Sequence, residues 1–253
     1  MQNQTQQIRL KTQKKHSFQP LTAIVMGAGS ATKEAEIIQS LSLFYPGIGI
    51  VLVAPATWRT SGNHLLPFIS KRTREQLSYF TVVRSENRGF LSDVQLGLEH
   101  TRSQFFVTLK ADEHPVEQLF HFYYRLQKGT HFVSGCEYPV SKVSKGAKKI
   151  ISLFANRFLN QKGYDVLNPF TTLFAGTTTD AQKILSSMST SERGSEAVFF
   201  NLISNAPSGT LLEEVFYQNK KLKMSSDAKA IDIFYALLKN FSRQVVNSKF
   251  LKK

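Results

Sequence analysis

Three groups of residues in this chain have types and spacings that suit chemistry. Gly27-Ala28-Gly29-Ser30 ends a short β-rich run, and small residues there let backbone N–H groups approach an anion such as phosphate. The run lacks both the complete GxGxxG of a dinucleotide site and the GK[ST] ending of a P-loop, so a plain turn competes with the phosphate reading. Lys145, Lys148, Lys149 and Arg157 decorate a helical stretch that suits phosphate, or else they form a solvated helix face. Phe122, Tyr123 and Tyr124 beside Arg125 combine rings with charge as single-strand binders do, yet their helical setting favours core packing.

The whole chain narrows the partners. Lys and Arg number 32 against 18 Asp and Glu, a net charge of +14 that favours polyanionic surroundings: phosphorylated substrates, anionic lipid or nucleic acid. Of these, nucleic acid is the weakest reading, since only charge and a few rings speak for it. At 253 residues, 42% apolar and 20% charged, the chain has material for a substantial core and is not disordered in bulk. A single cysteine, Cys136, rules out an internal disulfide and fits a reducing compartment. Residues 1–20 are polar, basic and without the apolar segment of a signal peptide, so they read as a flexible tail. No stretch approaches the ~20 apolar residues that cross a bilayer. The expectation is a cytoplasmic protein that is not secreted, with any membrane contact peripheral, on the cytoplasmic face.

Elements must position these residues, and the patterning alternates strand and helix. Strands are expected at Ala23–Met26, Ile48–Val53, Leu77–Val83, Phe105–Leu109, His131–Gly135 and Thr210–Tyr217. Helices are expected from Thr32, over Leu91–Thr101, from Pro115 to Lys128, and beyond Ser144 with Ile150, Ile151, Phe154 and Phe158 on one side. Further helices are expected over Asp180–Met188 and Glu196–Ser204, and a long one over Asp227–Phe250. This last helix has an apolar stripe of Ile231, Phe234, Tyr235, Leu238, Phe241 and Val245, with Lys239, Arg243, Lys249, Lys252 and Lys253 late in it. Such alternation predicts one α/β domain over 21–253, with a largely parallel sheet whose ligand site lies outside the carboxyl ends of the strands.

Several segments, in order, resemble the family-two glycosyltransferases, and in particular their dolichyl-phosphate mannose synthase-like, polyprenyl-phosphate branch. SATKEAEIIQSL from Ser30 resembles the family's PTYNEAENI, with Glu34, Ala35, Glu36 and Ile38 matching but not its Pro, Tyr and Asn. NRGFLSDVQLGLEH resembles NRGxGxARNxGLxxA through Asn87, Arg88, Gly89, Gly97 and Leu98. FFVTLKADEHPVEQL resembles the strand, metal-binding DxD loop and HP turn, with Ala111, Asp112, His114 and Pro115 in register. HFVSGCEY, VSKGAKKIISLFANRFL, LNPFTTLFAGTT and EEVFYQNKKLKMSS resemble DLVIGSRY, LISRGANLLARLLL, RDPTSGFRAFR and EVPITFRxRxxGxSK. The resemblance covers about residues 22 to 245 and implies a GT-A-type nucleotide-diphospho-sugar transferase fold, a mostly parallel sheet flanked by helices.

The resemblance also implies a site. Glu34, Asn87, Arg88, Gly89 and Ala111 stand where the nucleotide sugar is bound, Asp112 and Lys110 at the diphosphate, and Lys145 with Lys142 near an acceptor phosphate. Lys110 occupies the first Asp of the DxD, Ala54 and Pro55 replace the acidic pair after the second strand, Glu137 replaces an Arg, and Asn168 replaces the Asp of DPTSGFR. Base recognition would then fall to main-chain groups, Glu34, Trp58 or Arg59, while aromatic burial favours a Trp58 that packs under a loop instead. Three readings of the altered loop stay open. Asp112 with Glu113 holds Mg²⁺ or Mn²⁺; the Lys110 ammonium neutralises the diphosphate without metal; or the loop has lost catalysis. The corresponding functions are transfer of a sugar from a nucleotide-diphosphate sugar to a polyprenyl-phosphate or similar acceptor, and a silent relative acting as a binding or regulatory protein.

Overall fold

The computed structural model of the chain describes residues 21–55, 65–86, 89–111, 116–137, 147–188 and 197–217. Its seven strands are β1 (Leu21–Met26), β2 (Gly49–Ala54), β3 (Tyr79–Arg84), β4 (Phe105–Lys110), β5 (Phe132–Glu137), β6 (Phe174–Thr177) and β7 (Leu212–Tyr217). They form one sheet in the order β3-β2-β1-β4-β6-β5-β7. The helices are α1 (Ala31–Phe44), α2 (Lys71–Gln76), α3 (Phe90–Glu99), α4 (Leu119–Gln127), α5 (Ala147–Gln161), α6 (Thr178–Leu185) and α7 (Val198–Ser204).

Continuous apolar runs make the central strands. Every residue of LTAIVM in β1 and GIVLVA in β2 is buried, as parallel strands covered on both faces require. Alternation then sorts the side chains. Ala23 and Val25 join Ala35, Ile38 and Leu41 of α1 and Leu119, Phe122 and Leu126 of α4 on one face. Ile24 and Met26 join Leu91, Val94 and Leu98 of α3 and the rings of Phe158, Phe199 and Phe200 on the other. Gly97 lets α3 settle on β1, because a Cβ there would stand 2.2 Å from Ile24 Cγ2.

Six strands are parallel and β6 is reversed, pairing antiparallel with both β4 and β5. That reversal departs from the alternating pattern expected of the sequence, where FAGT is too short to register as a strand. Helix α2 was likewise not expected; Ser70 starts it, its side chain accepting the N–H of Thr73 at 3.0 Å. Helix α4 begins at Leu119, later than the Pro115 start expected, and Tyr124 on it is 47% exposed while Phe122 is core. In α5, Ile151 and Phe158 face inward, but Phe154 is 57% exposed and Ala155 and Leu159 complete the buried stripe. A stripe wide enough to include Phe154 would exceed what one sheet face covers. The tail over 1–20 and the expected closing helix Asp227–Phe250 lie outside the described residues. Among the described residues, no helix is long and apolar enough to cross a membrane.

Candidate functional site

The six parallel strands all end at one edge of the sheet, at Met26, Ala54, Arg84, Lys110, Glu137 and Tyr217. Main-chain bonds carry three of the ladders one rung further: Gly27 N donates to Val53 O at 2.9 Å, Ser85 N to Ala54 O at 2.9 Å, and Ala111 N to Met26 O at 3.1 Å. A Cβ on Gly27 would lie 3.0 Å from Glu34 Oε1 and 3.2 Å from Pro55 Cδ, so the exits of β1 and β2 and the first turn of α1 meet there.

Glu34 is fully buried at this junction. Its Oε1 accepts the N–H of Gly29 at 2.8 Å and of Ser30 at 3.2 Å, with Gly29 in the left-handed region at φ +80°. The amides of Gly27, Gly29 and Ser30 are thus engaged, two of them by a carboxylate. A loop that already contains its own anion is not the open phosphate cradle that its Gly-Ala-Gly-Ser composition allows, and the plain-turn reading fits. The other oxygen, Oε2, is shut from solvent and has no hydrogen-bond partner among the described residues. Buried carboxylate oxygens rarely stay so, which marks this atom as the place where a donor is wanting.

Lys110 closes β4 opposite Met26 and is half-buried; Ala111 follows it and packs against the α1 and α4 face of the core. Gly89 caps α3 with extended backbone, and its carbonyl accepts the N–H of Asp93 at 3.0 Å. The structure therefore gathers Glu34, Gly89, Lys110 and Ala111 along one edge, at the ends of β1, β3 and β4. Asn87, Arg88, Asp112, Glu113, His114, Lys142, Lys145, Trp58 and Arg59 lie outside the described residues.

Between β4 and β5 the edge divides. Strand β6 pairs with only Phe105–Val107 of β4 and Phe132–Ser134 of β5. Above it the Thr108 hydroxyl takes over the ladder, accepting the N–H of Phe174 at 3.1 Å and donating to Thr172 O at 2.8 Å. On the other side Gly135 N donates to Leu173 O at 2.8 Å, an approach so close that a Cβ would stand 2.9 Å from that oxygen. The segment leading into β6 thus separates Lys110 from Glu137.

Glu214 of β7 holds this segment. One of its oxygens accepts the N–H of Leu167 at 2.9 Å, the N–H of Asn168 at 3.2 Å and the Ser134 hydroxyl at 3.2 Å. Asn168 Oδ1 in turn accepts Phe170 N at 3.3 Å, and Thr171 Oγ1 accepts Leu173 N at 3.2 Å. Sequence reading did not find Glu214, because its partners lie 46 to 80 residues away. Beside it, burial and then the negative charges of Glu214 and Glu137 push the Cys136 thiol up to about 11, which favours the thiol over the thiolate.

Among the described residues, no three His, Cys, Asp or Glu side chains converge as a metal site. An ammonium at the end of β4 is the opposite of what a divalent ion needs, so the described residues do not fit one. A cavity of about 750 Å³ between α3 and α6, lined by Gln95, Leu98, Gln182 and Leu185 among others, opens beside the last turn of α3, toward the opposite edge.

No family model matches the chain, and no curated protein matches it in sequence. Solved structures do match in shape. Glucosyl-3-phosphoglycerate synthase from Mycobacterium tuberculosis, in complex with Mn²⁺, uridine diphosphate and phosphoglyceric acid, superposes with a TM-score of 0.60 and 12% identity, covering 90% of this chain and 84% of that one. The same enzyme with Mn²⁺, uridine-diphosphate-glucose and phosphoglyceric acid gives 0.61 and 12% over 87% and 79%. A further mycobacterial protein gives 0.60 and 13% over 87% and 74%. At these identities the likeness establishes the fold, a GT-A-type α/β architecture with a mostly parallel sheet flanked by helices.

Proposed function

We propose that this chain is a glycosyltransferase that takes a sugar from a nucleotide-diphosphate donor and passes it to an acceptor bearing a phosphate. One observation carries the reading: the reversed strand β6 splits the carboxyl edge, leaving Glu34 and Lys110 on one side of the division and the Glu214-held turn on the other. A donor lying over the exits of β1 and β4 would meet the loop that the buried Glu34 carboxyl holds through Gly29 and Ser30, and then Lys110. In the transfer, an acceptor oxygen bonds to the anomeric carbon while the bond to the diphosphate breaks, with inversion. Charge grows on the leaving diphosphate, and the Lys110 ammonium at the end of β4 is a described cation that would offset it. A phosphate acceptor is already anionic near pH 7 and needs no strong base, so positioning dominates. The sequence resemblance supplies a polyprenyl phosphate as that acceptor, with Lys145 and the neighbouring Lys142 at its phosphate; independently of it, the basic residues late in the expected closing helix suit an anionic membrane surface as well as they suit the frayed end of a core-packing helix. Phosphoglyceric acid, bound by the mycobacterial synthase, shares the phosphate monoester.

A second reading is a silent relative that binds without turnover. Lys110 in place of a carboxylate and Ala54-Pro55 at the exit of β2 favour it. Thermal unfolding against a panel of nucleotide diphosphates and nucleotide sugars, with and without Mn²⁺, separates the cases. A ligand at about a hundred times its dissociation constant stabilises by roughly 2.7 kcal/mol. A shift with one nucleotide, independent of metal and lost in Lys110→Ala, supports the ammonium reading. A metal-dependent shift lost in Asp112→Ala restores the divalent ion held by Asp112 and Glu113. No shift across the panel removes the donor site altogether.

A further inference from the structure

Helix α4 buries Leu119, Phe122 and Leu126, as an amphipathic helix on a sheet must, yet its outward side carries large rings among the polar His121, Arg125 and Gln127. Phe120 is 58% and Tyr124 47% exposed, and their rings stack on one another with centroids 6.2 Å apart and planes 28° from parallel. Glu117 is exposed just before the helix, and Lys128 at its end lies over the Tyr124 ring at 5.4 Å. Glu117, Phe120, Tyr124 and Lys128 are spaced three and four apart, so they form one outward stripe: anion, two stacked rings, cation. Arg125, the other cation of this surface, is already paired with Glu213 within the chain.

The apolar ground extends onto α1. Leu43 is 65% and Phe44 49% exposed, and the Phe44 ring contacts that of Tyr45 at 6.5 Å. The Tyr45 hydroxyl accepts the N–H of Phe120 at 2.9 Å and lies 3.0 Å from the Val116 carbonyl, to which it donates. The two helices therefore present a joined patch of large apolar side chains, which a monomer rarely leaves open to water.

We infer that this face is the interface between two copies of the chain related by a twofold axis across α4. A twofold axis sets a helix antiparallel to itself, which brings Glu117 of one copy to Lys128 of the other, twice, and Phe120 to Tyr124 between them. The stripe is thus complementary to itself in charge as well as in apolar character. A membrane would instead call for cations at both ends, and Glu117 opposes that. This inference does not depend on the proposed transfer.

Sedimentation velocity of the full chain at micromolar concentration tests it, and a dimer is expected. Phe120→Ser with Tyr124→Ser should raise the dissociation constant about a hundredfold, since each central ring counts twice in a twofold interface. Glu117→Lys alone and Lys128→Glu alone should each be monomeric at low salt, whereas an equimolar mixture of the two should recover a heterodimer. The exposed charge variants leave the buried stripe of α4 intact, so their folding keeps the test readable. A chain that is monomeric throughout overturns the inference, as does a dimer indifferent to all four substitutions. A monomer that sediments with phosphatidylserine vesicles through Phe120 and Tyr124 overturns it too, and assigns the face to lipid.

Discussion

The two edges of the same sheet are built to different ends. At the amino edge, polar groups find partners within the protein: the Tyr79 hydroxyl accepts the N–H of Arg102 at 3.0 Å and bonds Thr22 Oγ1 at 2.5 Å. Thr22 in turn donates to Ser103 Oγ at 2.7 Å, and Thr178 Oγ1 donates to Ser103 O at 2.8 Å. Arg102 lies over the Tyr79 ring at 5.3 Å, and the ring passes over Gly49, where a Cβ would stand 2.2 Å from Cε1. Four segments are stapled together. The carboxyl edge has Glu34 with an oxygen lacking a donor, a lysine at the end of β4, and a carboxylate cluster beside Cys136. Its groups are held in place but not all satisfied. The amino edge ties its segments to one another, although the buried Ser78 hydroxyl there also has no partner among the described residues, whereas the carboxyl edge gathers charged side chains at the strand ends, where parallel α/β sheets take their ligands.

Breaking the amino edge should have the largest effect. Gly49→Ala drives a methyl group into the Tyr79 ring and should lower stability by about 3 kcal/mol, read as the midpoint of urea unfolding; an unchanged midpoint would mean the ring is not pinned. Tyr79→Phe removes one hydroxyl from a chain of three and should cost about 1 to 2 kcal/mol in the same experiment. Neither substitution should alter nucleotide affinity in protein that remains folded, because both lie a full strand length from the site.

At the carboxyl edge the comparison sharpens through function. Glu34→Gln keeps the size of the side chain and an oxygen for Gly29 and Ser30, so stability should stay within about 1 kcal/mol. The thermal shift given by a nucleotide should nonetheless weaken, since the side chain that holds Gly29 and Ser30 shapes the loop under the donor; a retained shift would mean that this hold does not shape the site. The smallest effect concerns Cys136. Its thiol ionises near 9 in the unfolded chain and at about 11 in the folded one. Between those values the folded state holds the proton that the unfolded state has lost, so stability falls as pH rises through the interval. Cys136→Ala should flatten that decline, although Tyr79 and Tyr45, whose hydroxyls burial also pushes up, keep part of it.

The parallel half of the sheet was legible because its signals are local. LTAIVM, GIVLVA and FFVTLK are apolar runs of strand length, and Gly89, Gly97 and Leu98 matched a known segment that the structure places at the start and along the packed side of α3. Glu34 was singled out by its motif, but its burial and its two amide partners were not. Lys110 reads as a defect in a metal motif, and its place at the end of β4 beside the split is what gives it a candidate role.

The sequence by itself determined the α/β class and all six parallel strands to within about two residues at their ends, because period and strand length are properties of contiguous residues. Only the tertiary structure decided that FAGT runs backwards between β4 and β5, that Glu214 fixes the turn before it, and that α4 shows rings to solvent. Each of these depends on hydrogen bonds and burial between residues far apart in the chain, such as Thr108 with Phe174 or Glu214 with Leu167, and no local pattern encodes which distant partner a backbone group will find.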